Sequence, residues 1–196
     1  METRDRNTGA SEIQADIYRF ALSLDSLLVN GIQYGVLQAG WYNGFVEKLS
    51  ATLLNDLEVL GKHLPLAPVG EQQKASETIG EMRFEIACLI DLVVRLISFR
   101  SLSSAALLSA LAALCRHRQE TVRLIGDLEK CYHTPKPFYA NRPHDATLNV
   151  DAFLAGLPAI LEFEKVAHVL RTPPSPGQPI EIDVAAAQDD SDLRQI

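Results

Sequence analysis

Residues 71–133 read EQQKASETIGEMRFEIACLIDLVVRLISFRSLSSAALLSALAALCRHRQETVRLIGDLEKCYH, and the periodicity of their apolar side chains decides the fold class. From about Glu71 to Arg100, Met82, Ile86, Leu89, Val93 and Leu96 recur every three or four residues, with Glu77, Glu81, Glu85, Asp91 and Arg95 largely on another side. Ile79, Ile90, Val94 and Ile97 widen the apolar sector, which predicts that this is the most buried helix. Ser101 to Ser103 is a short polar break able to cap a following helix. Leu108, Leu111, Cys115, Val122, Ile125 and Tyr132 then continue at heptad-like spacing to about His133. Two long helices joined by so short a break form an antiparallel hairpin. Centring its turn near Leu102 and counting outward sets Cys88 beside Cys115, Glu85 beside Arg118, and Glu81 near Val122 and Arg123.

Toward the N-terminus, Ser11 followed by Gln14 is a capping-box pattern that predicts a helix start. Ile13, Ile17, Phe20, Leu24, Leu27 and Leu28 form its core stripe, and Asn30-Gly31 is suited to end it. The stretch Gly31 to Gly44 reads as either helix or loop. A further helix is expected from about Trp41, with Phe45, Leu49, Leu53, Leu57 and Leu60 on one stripe, closing at Gly61 ahead of Pro65 and Pro68.

Toward the C-terminus, Pro135, Pro137 and Pro143 make Thr134 to Asn149 a long loop. Helix resumes near Val150, capped by Asn149 or Asp151, with Phe153, Leu157, Ile160, Phe163, Val166 and Leu170 as its stripe and Pro158 as a kink or restart. Thr172 to Pro179 is a Pro-rich linker. Beyond it, Ile180, Ile182 and Val184 alternate with Glu181 and Asp183, a period-two pattern able to add a strand to a partner's sheet. The expectation is therefore an all-α, single-domain bundle of about five helices around an antiparallel central hairpin. Residues 1–10 are read as a flexible N-terminus, 11–171 as the bundle, and 172–196 as a Pro-rich linker and a disordered or extended acidic tail.

Composition sets bounds on function. The chain has 196 residues, 47% of them hydrophobic and 22% charged, enough for one core. Its net charge is −7, and five acids against Arg194 alone from Thr172 onward put much of that in the tail. A mildly acidic body argues against nucleic acid and anionic membranes as partners. The most apolar run, Ile86 to Phe99, is interrupted by Asp91 and Arg95 and falls short of the roughly 20 residues of a membrane span. Three cysteines without metal or disulfide spacing suit a reducing compartment, and the polar N-terminus resembles neither a secretory nor a transit signal. A cytoplasmic protein is expected.

Catalytic chemistry finds little support. Glu129 with His133 and Glu164 with His168 sit four apart, but the Glu-x-x-His pairs of dinuclear bundle sites are missing. Cys115 neighbours Arg116 and His117, which could activate a thiol, yet it belongs to an apolar stripe. The basic cluster Arg116, His117, Arg118 and Arg123 faces Glu81, Glu85, Glu120 and Asp127, which would neutralise it. No cofactor or metal is expected. Two places have the composition of a binding surface. One is the glycine-aromatic stretch containing Gly31, Gly35, Gly40 and Gly44, where Tyr34, Trp41, Tyr42 and Phe45 either pack internally or flank a groove. The other is the loop with Phe138, Tyr139 and Arg142, whose aromatics either fold over the bundle end or anchor a partner. The resulting expectation is a non-catalytic protein–protein interaction module (a subunit, adaptor, assembly chaperone or inhibitor-like partner) that binds another protein or its own copy. A small-molecule-binding regulatory bundle is the second reading, and an enzyme with an unfamiliar site around His117, Glu120, Cys131 or His133 the third.

Overall fold

The computed structural model describes residues 2–37, 42–141 and 149–171. Helix α1 (Glu2–Ser26) passes through a π-helical turn (Leu27–Gly31) into the short α2 (Ile32–Leu37). Next come α3 (Tyr42–Lys62), a 3-10 turn (Leu64–Leu66), α4 (Gln72–Ile97) and a second 3-10 turn (Phe99–Ser101). Then follow α5 (Ser104–Cys131), the single turn α6 (Phe138–Asn141) and α7 (Val150–Arg171). The fold is all-α: five long helices pack into a bundle, and the described residues contain no strand.

The central hairpin forms as the periodicity predicts. Met82, Ile86, Leu89, Val93 and Leu96 are fully buried, and Ser103 caps α5 by accepting the Ala106 N–H at 3.2 Å. His117 Nδ1 lies 2.7 Å from Glu85 Oε2, and Arg123 lies 3.7 Å from Glu81, which makes the pair antiparallel and within one residue of the counted register. Glu85 therefore meets His117 rather than Arg118. On α5 the expected Leu111, Ile125 and Tyr132 are buried, joined by Leu107, Leu114, Leu124 and Leu128, while Leu108 is 55% exposed. Thr121 is buried within that stripe because its hydroxyl donates to the His117 carbonyl at 2.9 Å, which removes the cost of its polarity. Val94, expected to widen the buried sector of α4, is exposed.

Three expected boundaries are corrected. Helix α1 begins at Glu2, so Ser11 is an exposed interior position and not a cap. Gln14 bonds instead to the Tyr18 hydroxyl at 2.9 Å and to the Lys136 carbonyl at 3.1 Å. Asn30-Gly31 does not end the helix either, because the backbone widens into the π turn and continues. A Cβ on Gly31 would stand 3.5 to 3.7 Å from Leu27, Val46 and Val93, ordinary van der Waals contact, so the turn is closely surrounded without requiring a glycine. Within the 134–149 connection, Phe138–Asn141 forms one helical turn.

Helix α7 docks antiparallel to α5, with Asp151 bonded to Arg118 at 2.6 Å near one end and Lys165 donating to the Leu102 carbonyl at 2.6 Å near the other. Asn149 is its cap, accepting the Ala152 N–H at 3.0 Å, and the helix runs through Pro158 without restarting. A polar seam joins α1 to α3. Asp16 bonds Arg19 and His63, and Asp56 accepts the Ser23 hydroxyl at 2.7 Å. No helix among the described residues is long and apolar enough to cross a membrane.

Candidate functional site

The structure separates the residues that the sequence singled out. Tyr34 on α2 and Phe45 on α3 come together at the surface, ring centroids 5.1 Å apart and tilted by 59°. Trp41 lies outside the described residues, as do Arg142, Ile180, Ile182 and Val184. Tyr42 is the first residue of α3, but its side chain is outside the description. A Cβ on Gly44 would meet nothing within 4 Å among the described residues, so the described part of the second glycine pair makes no close helix contact.

The aromatic loop turns inward. Phe138 is buried, edge-on to Tyr18 at 5.0 Å and to Tyr139 at 4.9 Å. Its backbone N–H donates to Glu129 Oε1 at 2.7 Å, and the Tyr139 hydroxyl donates to Asp25 Oδ1 at 3.1 Å. Tyr18 donates to the Lys136 carbonyl at 2.5 Å. These bonds tie α6 to α1 and α5, so Phe138 serves the core and is not available as an exposed anchor. Burial pushes the Glu129 carboxyl above the ordinary carboxylate value, and the Phe138 N–H offsets part of that.

The groups considered for catalysis are occupied elsewhere. Arg123 is held by Glu120 and Asp127, each at 2.6 Å, and Arg118 and His117 by Asp151 and Glu85. Three members of the basic cluster, His117, Arg118 and Arg123, are thus paired with acids. The cysteines are free thiols, with Cys88 and Cys115 half-buried and Cys131 buried. Burial raises the pKa of Cys88 and Cys131, away from the thiolate form that reacts. Among the described residues no three His, Cys, Asp or Glu side chains gather as metal ligands.

Two features that the sequence reading missed stand out. The first is the outer face of α7. Its buried face is Val150, Leu154, Leu157 and Leu161, whereas Ile160, Phe163, Val166 and Leu170, expected in the core, are 46%, 68%, 58% and 81% exposed. Ala152, Ala155, Gly156 and Ala159 are exposed beside them, so the outward side carries apolar residues along the whole helix. Beside Ile160 a groove of about 310 Å³ opens between α7 and α2, walled by Ile32, Val36, Phe153 and Leu157, with Gln33 and Glu164 at its polar edge. The sequence signal was present as two interleaved apolar stripes in one helix. Periodicity cannot say which of two such stripes faces the core.

The second is a cavity of about 780 Å³ at the bundle end, between α1, the Leu64–Leu66 turn and the end of α5. Its walls include Ile13, Leu66, Ala67, Val69 and Tyr132. Among the described residues the Tyr132 hydroxyl is buried and finds no hydrogen-bond partner, and burial pushes its pKa up to about 12. His133, beside it, adopts a left-handed backbone with φ of 52°. No sequence pattern marks such a cavity, because its walls come from three distant segments. No protein family, no curated protein and no solved structure matches this chain.

Proposed function

We propose that this chain is a non-catalytic protein–protein interaction module, acting as a subunit, adaptor, assembly chaperone or inhibitor-like partner through the outer face of α7. The observation that carries this reading is that α7 is apolar on both sides. A helix at the edge of a bundle ordinarily turns a charged face outward. Here Phe163, Val166 and Leu170 stand out in solvent in one row. Fully covering a side chain of this size is worth about 1.5 to 3 kcal/mol, so a partner helix or groove gains substantially by seating on them. A photo-activatable cross-linking residue at position 166, introduced in the native host, tests this. An adduct with a protein at 166 and none at the exposed Glu77 position on α4 is expected; no adduct at 166 overturns the reading.

A second reading, a small-molecule-binding bundle, is favoured by the Tyr132 cavity. A buried hydroxyl without a partner costs about 1 to 3 kcal/mol; the Tyr132 oxygen is closed to solvent, so an apolar ligand carrying one acceptor would recover that cost by drawing the hydroxyl toward the cavity. Acetophenone and ethylbenzene have nearly the same shape and differ in the carbonyl. The expected result is that acetophenone perturbs the NMR signals of residues 131–133 at lower concentration than ethylbenzene, and that Tyr132→Phe abolishes the difference. Equal behaviour of the two probes on the unmodified protein overturns it.

A further inference from the structure

We propose that the partner of α7 is a second copy of this chain, seated antiparallel so that large residues of one helix fill the gaps over small residues of the other. This rests on the interaction reading above and names its partner. On the outer face, Ala152, Gly156, Ala159, Phe163, Val166 and Leu170 follow one another at alternating four- and three-residue steps, the seam spacing of a coiled coil. Small residues occupy its first half and large ones its second. From Ala152 inward the steps are four then three, and from Leu170 inward they are again four then three. A two-fold axis through the middle of the seam therefore sets Leu170 against Ala152 of the partner subunit, Val166 against Gly156 of the partner subunit, and Phe163 against Ala159 of the partner subunit. Each layer joins a large residue to a small one, and such layers allow close approach of the two backbones. A parallel pair would meet like with like, leaving gaps at one end and crowding at the other.

Three further observations favour this occupant. Among the described residues a Cβ at Gly156 would meet nothing within 4 Å, so packing between them gives no reason for a glycine in mid-helix, where it weakens helix formation. The first turn of α7 carries Asp151 and the last turn His168 and Arg171, so only the antiparallel orientation sets opposite charges end to end. The seam is about 27 Å long at 1.5 Å per residue. The α2 groove beside Ile160 flanks the seam and widens the apolar surface that a second copy would cover. One like-charge approach arises, Glu162 near its own copy across the axis, and Lys165 at 3.7 Å offsets it within each chain. Residues 172–196 are the competing occupant, but Ile180, Ile182 and Val184 are spaced by two and do not match a four-three seam.

Sedimentation of the full chain between about 1 and 200 μM is the test, the range in which an interface of this size associates. The weight-average mass should rise from 21.6 kDa toward twice that value. Phe163→Glu should leave a monomer with unchanged helical circular dichroism, since Phe163 is 68% exposed and lies outside the buried core. Gly156→Leu and Val166→Ala should each weaken the dimer, Gly156→Leu by about tenfold or more, because one crowds and the other empties the same layer. Together they exchange large for small within that layer and should recover most of the association. A monomer at every concentration overturns the proposal, and a double variant no better than Gly156→Leu overturns the register. A monomer that still cross-links a different protein from position 166 refutes the second copy and leaves the interaction reading standing. A monomer without any adduct refutes both.

Discussion

Glu129 shows what a single side chain does here that its sequence neighbourhood hides. Four residues before His133 on a helix, it has the spacing of a ligand pair. In the structure it is a buried carboxyl whose Oε1 is committed to the Phe138 N–H at 2.7 Å, nine residues on. A bond from a helix side chain to a loop backbone has no periodicity, so this clamp was not legible, and neither was the use of Gln14 on the Lys136 carbonyl. Because the folded-state pKa of Glu129 is raised by burial, folding favours its protonated form. The group therefore costs nothing below the ordinary carboxylate value of 4.5, and its penalty grows as the pH climbs from there to the raised value. Glu129→Gln keeps an oxygen for the Phe138 N–H and removes the buried charge. Urea titrations should find this variant more stable than the unmodified chain at pH 7, with the advantage gone at pH 3. An advantage that persists unchanged at pH 3 would mean that charge burial is not its cause.

At the scale of elements, the hairpin was the most legible part of the molecule and also the place of a one-position error. Length, capping serine and antiparallel pairing follow from residues 71–133, and the observed Glu85–His117 and Glu81–Arg123 pairs sit within one residue of counting outward from Leu102. Leu111, Ile125 and Tyr132 of the expected α5 stripe are buried, whereas Leu107 rather than Leu108 faces the core, a choice that two adjacent apolar residues leave open to periodicity. Two adjacent leucines now separate the readings. Leu107→Ala removes a fully buried side chain and should cost about 2 to 5 kcal/mol, whereas Leu108→Ala, more than half exposed, should stay within about 0.5 kcal/mol. Equal losses at the two sites would reject the observed orientation of α5. The π turn at Leu27–Gly31 is a comparable case. Asn-Gly is a sound stop signal locally, but burial of Leu27, Leu28 and Ile32 on either side favours keeping the chain helical.

For the whole molecule, the all-α class and the five long helices could be read from periodicity, and the role of α7 could not. A helix with two apolar stripes satisfies the same sequence pattern whichever way it is turned, and only the positions of Arg118 and Leu102 on its neighbours decide the matter. The same lack of local information hid the Tyr132 cavity, whose walls are more than fifty residues apart along the chain. The Lys136 carbonyl, which receives both Tyr18 and Gln14, carries a consequence in time rather than in space. The bonded groups are 118 and 122 residues apart, so at about 5 to 20 residues per second a ribosome needs roughly 6 to 25 s between making α1 and making the segment that fastens it. Over that interval α3 and α4 are made and most of α5 follows, while α1 waits for the segment that fastens it.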